Sequence, residues 1–122
     1  MVGFDFEDRS ILIVEDDLLI AMDLEHALDE AGCMVVGLVP SVARAMAKID
    51  NHRIDAALLD VTLGREKVFA VADRLSTDGV PFVFVTGEPQ SVPERHGNRP
   101  IIAKPYQPAQ VLEALASVMT PA

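Results

Sequence analysis

ILIVEDD, residues 11–17, sets the reading of the chain: four apolar, β-prone residues run without a polar interruption into three acids. An unbroken apolar run of strand length suits a strand covered on both faces, as parallel strands are. Four more such runs follow, at Met34–Val39, Ala56–Leu59, Phe82–Val85 and Ile101–Ala103. Helical periodicity fills the gaps between them. Ile20, Leu24, Ala27, Leu28 and Ala31 share one face of a helix that Gly32 ends. Ser41 is placed to cap a second helix, with Val42, Ala45, Met46 and Ile49 inward. Val68, Val71, Ala72 and Leu75 mark a third, stopped near Gly79. Pro108 opens the last, which faces inward through Val111, Leu112, Leu115 and Met119.

Residues 88–100 break the rhythm. Three prolines and Gly97, with little periodic apolar content, predict that any fourth helix there is short or irregular. Elsewhere strand and helix alternate, which predicts an α/β fold: a doubly wound, five-stranded parallel sheet with helices on both faces. Ligands of such sheets sit beyond the carboxyl ends of the strands, where the winding reverses.

Composition narrows the function classes. The chain has 122 residues, half of them hydrophobic, enough for one core without disulfide or metal staples. The expectation is a single domain over 1–122, with its core at about 9–119 and no output domain. Nineteen acids against ten bases give a net charge of −9, which repels nucleic acid and anionic lipid. Residues 1–9, with three acids and no long apolar run, are not expected to act as a signal peptide, and no apolar run in the sequence is long enough to span a bilayer. The lone Cys33 excludes an internal disulfide and fits a reducing compartment, so a cytoplasmic location is expected.

The polar residue that follows each strand carries the chemistry. Glu15, Asp16 and Asp17 follow the first, Asp60 the third, Thr86 ends the fourth and Lys104 follows the fifth. The proposed winding brings them to one rim. Crowded carboxylates repel, and a hard divalent cation such as Mg²⁺ is the usual remedy. A carboxylate beside that cation can attack phosphorus, while an ammonium and a hydroxyl offset the charge of the transferred group. Each residue alone has a plainer reading: a strand-end cap, a helix N-terminus, a β-branched strand residue, a surface lysine. The set favours a phosphoryl acceptor.

Four ordered motifs resemble the receiver domain of two-component response regulators: ILIVEDD at 11–17, ALLD at 57–60, PFVFVTG at 81–87 and IIAKPY at 101–106. The likeness spans nearly the whole chain and implies a flavodoxin-like receiver fold. It implies that Asp60 is the phosphoacceptor, supplied by a histidine kinase or histidine phosphotransfer protein. Glu15 and Asp16 match the family's acidic pair, and Mg²⁺ would be held by Asp16, Asp60 and the carbonyl of Thr62, with Glu15 beside them. Thr86 resembles the switch hydroxyl and Lys104 the lysine that pairs with the phosphoryl group. Glu88 stands where it can influence attacking water. Asp17 reads instead as a helix cap or first-turn acid. PFVFVTG resembles compact, stand-alone receivers with a Phe-Ala-Thr-Gly signature that act in phosphorelays and stress signalling.

Some features depart from the common pattern. Gly64 stands in a loop where many receivers carry proline, and Ile101 stands where an aromatic often precedes the lysine. Three functions remain open: a regulatory phosphoacceptor rather than an enzyme, a pseudo-receiver interaction module, or an aspartate-nucleophile phosphatase. The last lacks the second aspartate such enzymes need, because Asp60-Val61-Thr62 has threonine there. Partners are expected to be a kinase or phosphotransfer protein and a protein effector, with a monomer or a phosphorylation-dependent dimer. His26, His52 and His96 read as surface or structural residues, and Met22, Met34 and Met46 as core filler.

Overall fold

The computed structural model describes residues 4–120. Its main sheet is built from β1 (Ser10–Val14), β2 (Met34–Val39), β3 (Ala56–Leu59), β6 (Phe82–Thr86) and β7 (Ile101–Ala103). The spatial order is β2-β1-β3-β6-β7, with every pairing parallel. Helices α1 (Leu18–Glu30), α2 (Val42–Asn51), α3 (Phe69–Thr77) and α4 (Pro108–Met119) connect or follow the strands. The expected doubly wound sheet is therefore present.

The apolar runs lack alternation because both faces are covered. Leu12 and Val14 of β1, Ala57 and Leu59 of β3, and Phe82 and Phe84 of β6 pack with α2 and α3. The intervening Ile11, Ile13, Ala56, Leu58, Val83 and Val85 pack with α1 and α4. Phe82 and Phe84 are fully buried, each contributing roughly 2–3 kcal/mol by removal from water. Ala21 joins Leu24 and Leu28 on the buried stripe of α1, and Ala45 is the fully buried residue of α2. Met46 packs against the α2–α3 layer. Met22 and Met34, expected as core filler, are instead 50% and 56% exposed. The stripe of α1 runs through Ala21, Leu24 and Leu28, which turns Leu18 and Met22 outward, and Met34 opens a strand at the sheet's edge.

Two features replace regular structure. Between β3 and α3 the chain makes a small hairpin, β4 (Thr62–Leu63) against β5 (Glu66–Lys67). Gly64 opens its two-residue turn at φ +61°, a conformation primed hairpin turns demand and side chains disfavour. Between β6 and β7 the fourth helix is reduced to two 3₁₀ turns, Pro89–Ser91 and Glu94–His96, as the prolines foretell.

This irregular segment is anchored rather than loose. His96 is 3% exposed, lies edge-on to Phe82 and Phe84, and its Nε2 sits 2.8 Å from Asp73 Oδ1. Arg95 donates to both Asp73 oxygens, at 2.9 and 3.1 Å. Arg99 stacks over Phe82, 4.4 Å from the ring centroid, and donates to Ser76 Oγ. Arg95 first, then His96, holds the Asp73 carboxyl below its ordinary value. A lowered carboxylate stabilises the fold above its unfolded pKa, and that contribution is lost as pH falls through the folded value. Among the described residues no helix is long and apolar enough to cross a membrane.

His96 Nδ1 already lacks a partner among the described residues. Asp73→Ala would orphan the other ring nitrogen as well. The expected loss is roughly 1–3 kcal/mol in urea denaturation, with faster amide exchange confined first to residues 88–99.

Candidate functional site

Four of the five strands of the main sheet, β1, β3, β6 and β7, deliver polar residues to the same rim. Glu15 N–H donates to Val39 O at 2.9 Å, so the chain keeps sheet geometry one residue past β1 and Glu15 is buried, 4% exposed. Asp16 stays exposed, its Oδ2 accepting the Gly64 N–H at 2.8 Å. Asp17 leaves the rim as the N-cap of α1, accepting from Leu19 and Ile20 N–H. Asp60 N–H donates to Val14 O, which sets its carboxylate beside those of β1 at 8% exposure. β1 and β3 are adjacent, and the winding reverses between them, so the acids fall at the switch point.

Lys104 closes the arrangement. Its N–H donates to Thr86 O, extending the β6–β7 pairing, and its Nζ lies 2.6 Å from Glu15 Oε1 and 3.1 Å from Asp60 Oδ2. Thr86 is 1% exposed, and its Oγ accepts the Glu88 N–H at 2.9 Å. Thr62 lies on β4, where its hydroxyl donates to Glu88 Oε2 at 2.8 Å and accepts from Lys67 Nζ at 2.8 Å. Lys67 also pairs with Glu88 at 3.3 Å. Lys67 was invisible as a site neighbour, because a two-residue strand carries no periodicity; Gly64 was its one clue.

The electrostatics follow from burial. Burial, and then neighbouring Asp60, raise the Glu15 carboxyl to about 7 against the opposing pull of Lys104. Burial also opposes the charge on Lys104, but its hydrogen bonds to Glu15 and Asp60 outweigh that and leave the ammonium more firmly protonated than usual. Glu88, with Thr62 and then Lys67 donating to it, is held below its ordinary value.

Glu15, Asp16 and Asp60 each offer an oxygen within 4.8 Å of the others. Three carboxyl groups converge here against a single ammonium, and the donors are all hard oxygens. That set fits a divalent cation of the Mg²⁺ kind. Lys104→Ala should therefore leave the carboxylates uncompensated and cost up to about 3 kcal/mol in urea denaturation without divalent cations. Added Mg²⁺ should restore more stability to this variant than it adds to the unaltered chain.

A family model described as the response regulator receiver domain matches residues 11–116. The phyllosphere-induced regulator PhyR of Methylorubrum extorquens is 39% identical over 119 residues, covering 89% of this chain and 43% of that protein. The chemotaxis protein CheY of Thermotoga maritima is 28% identical over 116 residues, covering 90% of this chain and 97% of CheY. The solution structure of SdrG from Sphingomonas melonis Fr1 superposes with a TM-score of 0.83 at 44% identity, covering 93% of this chain and 98% of SdrG. The chain thus spans less than half of PhyR and nearly all of the other two. It belongs to the response regulator receiver domain family of two-component signalling.

Proposed function

We propose that Asp60 accepts a phosphoryl group from the phosphohistidine of a histidine kinase or phosphotransfer protein, and that the acyl phosphate switches the chain's protein contacts. The observation that carries this reading is Lys104 Nζ, bridging Glu15 and Asp60 at 2.6 and 3.1 Å. An ammonium so placed keeps one Asp60 oxygen oriented and stands ready for the charge that arrives with the phosphoryl group.

In the transfer, one Asp60 oxygen forms a bond to phosphorus as the bond from phosphorus to the imidazole nitrogen breaks. The imidazole keeps that electron pair and takes up a proton. Asp16, Asp60 and the Thr62 carbonyl, with Glu15 beside them, would hold Mg²⁺, which neutralises phosphoryl oxygens when bound. Lys104 turns from a bridge between two carboxylates into a partner of the phosphoryl group. Thr86 now accepts from the Glu88 N–H. Rotating its hydroxyl toward a phosphoryl oxygen gives up that bond and loosens Glu88, and with it residues 87–99. The regulated output is a change in that segment's surface.

The donor has an apolar surface beside the site. Leu18, Leu19 and Met22 of α1 are 63%, 79% and 50% exposed. They adjoin a groove of about 540 Å³ lined by Leu19, Ile20, Asp23, Lys104, Pro105 and Tyr106. Tyr106 donates to Asp23 Oδ2, which ties the loop after β7 to α1. A protein donor seated on α1 would present its histidine to the rim.

Two measurements test the reading. Incubation with acetyl phosphate and Mg²⁺ should add one phosphoryl group by intact mass to the unaltered chain and none to Asp60→Asn, whose near-isosteric side chain keeps the fold. No gain under any donor would leave an interaction module without phosphorylation, and rapid repeated turnover of the donor would make the chain a phosphatase. Leu19→Asp should slow transfer from a phosphorylated protein donor by about tenfold, the loss of one good apolar contact, while leaving acetyl phosphate labelling unchanged.

A further inference from the structure

We propose that the outer edge of β2, together with the basic face of α2, receives an extended acidic segment of a partner protein. β2 is an edge strand of sequence MVVGLV, with neither a charge nor a proline within it. Edge strands of this length are usually blunted by one or the other, because their unpaired backbone groups invite another strand. Among the described residues, the backbone bonds of β2 run only to β1 and to its flanking residues Arg9 and Glu15. Met34 is 56% exposed, and Val35, Val36, Gly37 and Leu38 are half-buried.

Charge beside that edge selects the occupant. A groove of about 290 Å³ between β2 and α2 is lined by Val39, Arg44, Ala47, Lys48, Asn51 and His52. Arg44, Lys48 and His52 stand at i, i+4 and i+8 on one face of α2 and its C-cap. Among the described residues none of the three has a carboxylate partner, whereas Lys67, Arg74, Arg95 and Lys104 are all paired. Three neighbouring basic groups on one face form a local positive patch in a chain of net charge −9. Gly37 contributes to it: a Cβ there would stand 2.9 Å from Lys48 Cε, so the glycine lets the lysine stem lie across the strand.

Spacing selects an extended chain. Residues four apart on a helix rise about 6 Å. Alternate side chains on a strand are about 6.7 Å apart and share one face. Acids at alternate positions of an added strand therefore match Arg44, Lys48 and His52 in step, while the added backbone pairs with β2. A single phosphate would reach only one of three groups spread over about 12 Å. A nucleic acid could follow the stripe, but it cannot satisfy a strand edge, and the acidic remainder of the chain repels it.

The probe is a short peptide alternating glutamate with threonine, titrated into the full chain at low salt and followed by amide NMR. Shifts should concentrate in residues 34–39 and 44–52, with slowed amide exchange along β2. The double variant Arg44→Glu/Lys48→Glu should weaken binding about tenfold or more while keeping its melting temperature and its labelling by acetyl phosphate. Should that variant misfold, Arg44→Gln/Lys48→Gln should still weaken binding severalfold. Regrouping the glutamates into one block should also weaken it. Equal binding by the block peptide, by a glutamine analogue or by a folded charge variant would overturn the proposal. So would tighter binding of oligothymidylate, or shifts lying elsewhere.

Discussion

The carboxyl rim of the sheet is organised around one half-buried ammonium. Lys104 stands between Glu15 and Asp60, residues that come from non-neighbouring parts of the sequence and that would repel each other without it. Its position is set by backbone, not by the long side chain alone. Lys104 N–H continues the β6–β7 ladder onto Thr86, so the lysine, the threonine and the acids are held in one frame of parallel strands. Replacing any of those strands by a loop would return the carboxylates to the higher dielectric of water, where the pairing is worth little. The core beneath is what makes the chemistry above it possible.

The rim was legible in the sequence for the same physical reason. Parallel strands buried on both faces read as unbroken apolar runs, and whatever polar residue ends such a run must lie at the rim. ILIV before Glu15, ALL before Asp60, FVFV before Thr86 and IIA before Lys104 all obey this, and all four residues stand where expected. The 3₁₀ turns of residues 89–96 were legible too, since proline both removes a donor and fixes φ. What stayed hidden was decided by tertiary packing. Apart from Gly64, nothing in TLGREK announces that Thr62 and Lys67 pair across a two-residue turn. Methionine suits both a core and a surface, so Met22 and Met34 could not be placed until the stripe of α1 and the edge of the sheet were known. His96 looked like loop polarity; its burial comes from two aromatic rings of β6 and from Asp73 on α3, contacts that no local pattern encodes.

These hidden contacts link the rim to its surroundings. The hairpin touches three neighbours through side chains: Gly64 N–H donates to Asp16, Glu66 accepts from the first amide of α2, and Thr62 and Lys67 both donate to Glu88. Glu88 in turn holds the Thr86 hydroxyl through its own N–H. Asp16, Thr62 and Thr86 are three of the residues given roles in the proposed phosphotransfer, and each is tied to the hairpin or to the segment after β6. A charge added at Asp60 would therefore compete with bonds that are already made.

That competition bears on how a receiver with a reduced fourth helix could report its state. A regular helix moves as a body. Two 3₁₀ turns, with no run of i→i−4 bonds, have less internal structure to carry a displacement. Here the far end of the segment is fastened to α3 and β6 through Asp73, Ser76 and Phe82, while the near end is held at Glu88 by Thr86, Thr62 and Lys67, with Val92 packed on the core. A segment fixed at one end and released at the other pivots on its fixed end. Loss of the Thr86–Glu88 contact would thus swing the stretch around Pro89 while His96 stays seated. Ile101 fits that arrangement: paired with Phe84 in the sheet and packed on the α2–α3 side of the core, its β-branched side chain is restricted at χ1. The hairpin holds Glu88 by its side chain, and Thr86 holds it by its backbone N–H.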